Sequence, residues 1–253
     1  MKFVLEAALF DLGLFLGMVF LFETGRRIAE NRGGAPSGSG VVDGAVFGLL
    51  GLLIAFTFSG AVSRFDTRRH LVVDEANAIG TAYLRLDLLP QSAQPALRES
   101  FRRYVDSRLA VYQKLPDVRA AKEELARSTS LQSEIWAQAV AACRADAPPS
   151  AAMLLLPALN EMIDITTVRT VAAETHPPTI IFAMLAALAL ASSLLAGHSM
   201  VGTSTRSWLH MLVFAATMAI AVYVILDLEF PRLGLIRLDA FDKVLVEVRQ
   251  SMK

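Results

Sequence analysis

Four stretches of this chain are apolar for long enough to cross a bilayer, and the rest of the fold has to be arranged around them. They run from Phe3 to Phe22, Val41 to Ser63, Thr179 to Met200 and Trp208 to Leu228. About 20 helical residues rise ~30 Å, one hydrocarbon thickness. Composition points the same way. With 54% hydrophobic and 19% charged residues, and a mean hydropathy of +0.48, the chain is more apolar than a soluble domain of 253 residues needs. Pro177 and Pro178 suit the start of the third run. The first run is a poor signal peptide. It has only Lys2 as a basic head, carries Glu6 and Asp11, and lacks a small-x-small cleavage site before Glu23.

The charged residues exclude some functions. Lys+Arg 24 and Asp+Glu 24 cancel, with no basic block and no aromatic-basic interleaving, so no nucleic-acid partner is expected. The single Cys143 rules out an internal disulfide and a multi-cysteine metal site, and it is expected to be a small buried apolar residue. Lys and Arg near the span ends set the orientation. One side holds Lys2, Arg64, Arg68, Arg69, Arg169, Arg232, Arg237 and Lys243; the other holds Arg26, Arg27, Arg32 and Arg206. This distribution predicts cytoplasmic N- and C-termini and a cytoplasmic middle segment.

That middle segment reads as helix nearly throughout. Leu97, Phe101, Tyr104, Val105, Leu109 and Tyr112 recur at steps of three or four, opposite Arg98, Arg102, Asp106 and Lys114. Asp117 looks like an N-cap, Pro148-Pro149 ends the helix it starts, and Pro157 marks a kink or a new start. The one flexible composition is the outer loop Asn31 to Gly40. The expected fold is all-α: spans one and two over 1–63, a helical cytoplasmic region over 64–177, spans three and four over 178–230, and a tail over 231–253.

Catalytic chemistry is sparse. His70, His176, His198 and His210 show no metal-ligand spacing, and there is neither a phosphate-binding glycine loop nor G-x-S-x-G, so neither an enzyme nor a cofactor is expected. Asn160, Glu161 and Asp164 share a helix face that reads as a solvated polar surface rather than a cation site. His198 and His210 flank the connection between spans three and four, where interfacial histidines are ordinary. Asp11 lies near mid-span and must face protein, water or the interface, whereas Glu6 is close enough to the end to snorkel. Asp227 and Glu229 at the fourth span's exit, beside Arg232, read as interfacial ion-pairing groups.

The second span carries the clearest pattern. Gly44, Gly48, Leu52, Phe56 and Gly60 fall on one stripe with Gly51, Ala55, Ser59 and Ser63 beside it, while Leu50, Ile54 and Phe58 lie on the far side. Such a stripe either packs closely on another helix or lines a narrow path around a symmetry axis, where an apolar constriction gates ions by dewetting. No proline or Gly/Ser linker separates this span from Arg64, Asp66, Arg68, Arg69 and His70, so the helix is expected to leave the bilayer unbroken.

"GLLIAFTFSGAVSRFDTRRHLVVDEANAIGTAYLRLDLLP" (Gly51 to Pro90) and the tail "DLEFPRLGLIRLD" (Asp227 to Asp239) resemble the bacterial membrane proteins grouped as bestrophin-like. A more distant similarity reaches the true bestrophins, pentameric and mainly anion-selective channels whose second membrane helix lines a narrow neck. The resemblance implies a homo-oligomeric, multi-pass protein of the bacterial inner membrane, with small ions, mainly anions, and the lipid bilayer as its partners. It implies a neck position at Phe56, with Leu52 one turn earlier and Gly48 at the next, and an anion-biased vestibule at Arg64, Arg68 and Arg69. Gly48 departs from the pattern by supplying no apolar plug, the proline-containing start of the neck helix is missing, and no acidic run resembles the calcium clasp of animal bestrophins. The alternative is a non-conducting sensor or scaffold with a helical interaction domain.

Overall fold

The computed structural model describes residues 2–33, 39–145, 147–200 and 208–252. Arg206 and much of the Gly/Ser-rich outer loop lie outside the described residues. The described chain forms α1 (Lys2–Asn31), α2 (Ser39–Leu84), a short 3-10 turn (Arg85–Leu88), α3 (Gln94–Gln113), α4 (Val118–Ala145), α5 (Pro149–Glu174), α6 (Thr179–Ser199), α7 (Trp208–Glu229) and α8 (Lys243–Ser251). The fold is all-α, with four helices long and apolar enough to cross a membrane.

The boundaries follow local chemistry. The second apolar run does continue without a break, as one helix of 46 residues. Asp117 caps α4: its Oδ1 accepts a hydrogen bond from the Ala120 N–H at 3.1 Å, satisfying one of the otherwise unpaired first-turn donors. Pro149 occupies the first turn of α5, where its missing N–H costs nothing. Pro157 sits inside α5 and does not end it.

The chain divides into two compact units. The first comprises residues 1–64 and 176–236 and contains the apolar helices. Its core joins Leu14 and Met18 of α1, Leu50 of α2, Ala189 of α6, and Ala215 and Val222 of α7. α1 and α6 approach most closely. A Cβ on Gly25 would collide with the Leu194 carbonyl, and one on Gly197 with the Phe22 carbonyl. The Ser193 hydroxyl donates to the Met18 carbonyl at 2.6 Å across the same contact. Close small-residue packing therefore does occur in this bundle, but between α1 and α6.

The second unit comprises residues 65–175 and 237–253. Leu97, Phe101, Tyr104 and Val105 of α3 are buried, as their spacing requires, against Leu131 and Ile135 of α4 and Leu155 and Met162 of α5. Val72, Ile79 and Tyr83 of α2 and Leu245 of α8 complete this core. Cys143 packs against its edge, and burial pushes its thiol up, as suits an inert apolar filler. A polar layer is built in. Tyr104 Oη lies 3.0 Å from Thr166 Oγ1, and Gln132 Nε2 donates to both, at 3.1 and 3.0 Å. Burial pushes the Tyr104 hydroxyl up to about 12.

Deeper still is a charged cluster. Glu75 of α2 is fully enclosed and accepts from Arg108 of α3 and Arg169 of α5. Arg169 also lies over the Tyr112 ring at 4.0 Å and reaches Asp242, just before α8, at 3.5 Å. Burial alone would raise the Glu75 carboxyl, but the two guanidiniums overcome it and hold the group below the ordinary glutamate range. Arg108 is raised despite its burial, because Glu75 stabilises its charged form. Two anions and two cations thus offset one another where a lone charge would be untenable.

Candidate functional site

Between Gly44 and Phe56 the small-residue face of α2 is left exposed among the described residues. A Cβ added at Gly44, Gly48 or Gly51 would find no atom within 4 Å. Leu52 is 53% exposed and Phe56 67%. The opposite face packs inward: Leu50 is buried, Ile54 lies against the first unit's core, and Phe47 meets Phe214 edge-on at 6.2 Å. Among the described residues, then, the stretch Gly44 to Phe56 forms no close-packing seam.

At the lower end of this face the arginines are engaged. Arg64 folds back over Gly60, whose missing side chain leaves it room, and donates from Nε to Glu229 Oε1 at 2.8 Å and from Nη2 at 2.5 Å. Glu229, the last residue of α7, is fully buried, and His176 Nδ1 stands 3.6 Å from its other oxygen. The His176 ring stacks on Phe230 at 4.4 Å, and Phe230 in turn meets Phe3 at 4.7 Å. Arg68 is buried and donates to the carbonyls of Ala172 and Thr175 at 3.0 and 2.8 Å. Arg69 pairs with Asp66 at 3.2 Å and lies over the Phe241 ring.

Asp227 has a different task from ion pairing. Its carboxylate accepts the Leu235 N–H at 2.8 Å and the Ile236 N–H at 2.6 Å, closing the turn after α7. A Cβ on Gly234 would strike this carboxylate, so glycine is what permits the approach. Asp11 is half-buried on α1, and its Oδ1 is enclosed with no hydrogen-bond partner among the described residues. Asn160 donates to Asp164 at 3.1 Å on an exposed face of α5. Among the described residues no group of three or more His, Cys, Asp or Glu could hold a metal ion.

Sequence reasoning missed the Glu75–Arg108–Arg169 cluster and the Arg64–Glu229 pair. A signal existed for the first. Each of the three residues sits in the apolar register of its own helix: Glu75 three after Val72, Arg108 four after Tyr104, Arg169 three after Thr166. Charges of opposite sign at stripe positions of different helices point to a buried pair. Nothing local marks the second, whose partners are 165 residues apart.

These features define a multi-pass, all-α membrane protein whose second helix turns a small-residue and aromatic face away from its own bundle. The Bestrophin-like domain model matches residues 12–239, and the chain belongs to that family. Crystal structures of single-substitution variants of a bacterial Bestrophin homolog from Klebsiella pneumoniae share its fold. One has a TM-score of 0.67 at 17% identity, covering 98% of this chain and 97% of that one. A second has a TM-score of 0.70 at 17% identity, covering 96% and 98%. No curated protein matches the chain.

Proposed function

We propose that the protein is an ion channel of the bacterial inner membrane, with cytoplasmic termini, in which α2 helices from several copies surround a central path. Five copies is the number the bestrophin resemblance implies. The observation that carries the reading is the outward face of α2, where Gly48, Leu52 and Phe56 are left uncovered while Leu50 and Ile54 are committed inward. Repeated around an axis, Leu52 and Phe56 make an apolar constriction that dewets when narrow, and Gly48 leaves the path wider one turn above. Arg64 and Arg69 are paired with Glu229 and Asp66, and Arg68 is held by the carbonyls of Ala172 and Thr175; an anion-biased vestibule at these arginines remains part of the proposal.

Recording from purified protein in planar bilayers tests this. Wild type is expected to conduct, and Leu52→Ala with Phe56→Ala to raise single-channel conductance several-fold by removing the dewetting barrier. Silent bilayers, or a double variant indistinguishable from wild type, would leave the sensor or scaffold reading instead.

A further inference from the structure

We propose that α5 of one copy packs against α4 of the next, joining neighbours through the second compact unit; this rests on the homo-oligomer proposed above. α5 leaves uncovered what a helix in water ordinarily buries. Its exposed large apolar side chains, Met153, Leu154, Val168 and Val171, are between 46% and 76% exposed. At about 100° per residue these four fall within roughly 100° of arc, along ~27 Å of helix. Pro157, Glu161 and Asp164, also exposed, lie in the same arc. Lipid is no cover for such a face, because two carboxylates would then stand in hydrocarbon. Asp164 meets only the neutral Asn160, and neither Glu161 nor Glu174 has an ion pair among the described residues. Arg169, the one cation of α5, is buried on Glu75. The face is apolar and acidic.

α4 of the same unit offers the complement. Its outer side carries Ala126, Ser130, Ser133, Ala137 and Ala141, all exposed, within roughly 80° of arc. Small residues leave a shallow groove that admits the larger side chains of another helix. From Ala126 to Arg144 this side is also ~27 Å long, with Trp136 at its edge. Arg119 and Glu123 on it are paired with each other, and Arg127 at the margin lies 3.8 Å from Glu124. Lys122 and Arg144 have no ion pair among the described residues, so the side carries uncompensated positive charge. One chain cannot bring the two faces together. Leu131 and Ile135 of α4 and Leu155 and Met162 of α5 are already committed to the shared core, on the opposite sides of their helices. Between copies the faces match in length, in bulk and in sign. Like charges disfavour α4 on α4 and α5 on α5. Two unlike faces meeting head to tail close a ring when the rotation permits.

The test is disulfide trapping in the full-length protein purified in detergent, with Cys143→Ala removing the native thiol. Ala137→Cys is combined in turn with Leu154→Cys, Glu161→Cys, Asp164→Cys, Val168→Cys and Val171→Cys, so that the register need not be known beforehand. After mild oxidation at least one combination is expected to give a ladder of covalent oligomers on non-reducing gels. Each cysteine alone should give none. Charge is tested separately by size exclusion. Glu161→Lys with Glu174→Lys should raise the monomer fraction several-fold on dilution, and adding Lys122→Glu with Arg144→Glu should restore the oligomer. An intact oligomer in which no combination links, or which ignores the charge reversal, overturns this inference and leaves the channel reading standing. So does linkage by Ala137→Cys alone, which would put α4 against α4. A wild type that runs as a monomer overturns both.

Discussion

Glu75 shows how a side chain can be decisive for stability while lying in an unexceptional stretch of sequence. Its two oxygens are each taken by a guanidinium, so Glu75→Gln leaves Arg108 as a buried cation without its carboxylate and Arg169 with Asp242 alone. Breaking such a pair costs about 3–5 kcal/mol. A loss of that size should appear in denaturant or thermal unfolding of the detergent-solubilised protein at pH 7. The pH dependence has a definite sign. The folded carboxyl is held below its unfolded value, so its contribution is complete above the ordinary glutamate range and fades as pH falls through the folded pKa. The gap between wild type and Glu75→Gln should therefore narrow on acidification, and a gap that widened would contradict the assignment. The sequence reading missed this group because it sorted charges to the solvent face of each helix. It placed Arg98, Arg102 and Asp106 of α3 opposite the apolar stripe, whereas Arg108 lies within it.

The helices themselves were far more legible than the contacts between them. Apolar periodicity, the Asp117 cap and the prolines reflect interactions within a few residues, so α1 to α7 can be read from local sequence. Which stripe meets which partner is a long-range matter. The small residues of α2 read equally well as a packing seam or a path lining, while the actual seam of Gly25 and Gly197 drew no attention. The two uses predict opposite responses to one methyl group. Gly197→Ala drives a Cβ into the Phe22 carbonyl, and because backbone cannot step aside, a loss of about 1–3 kcal/mol is expected. Gly48→Ala meets open space and trades a flexible helix residue for the best helix former, so it should be neutral or stabilising by up to about 1 kcal/mol. Thermal unfolding of the two variants side by side checks both. A destabilising Gly48→Ala would mean that another copy packs against the stripe.

In the proposed channel, the exposed face of α2 leaves an isolated chain incomplete. Leu52 and Phe56 are each more than half exposed, and one copy cannot enclose a path with a single helix face. Purified protein is expected to be a homo-oligomer with rotational symmetry and α2 innermost, which mass measurement in detergent and particle symmetry by electron microscopy would reveal. A monomer would remove the main support for conduction. The unbroken 46-residue α2 also restricts how the gene can change length. One residue inserted between Leu52 and Phe56 turns Phe56 by about 100° and carries it off the face it shares with Leu52. Eighteen inserted residues would restore that phase, but at five extra turns of length. Insertions and deletions among functional descendants should therefore avoid this interval and collect outside the helices.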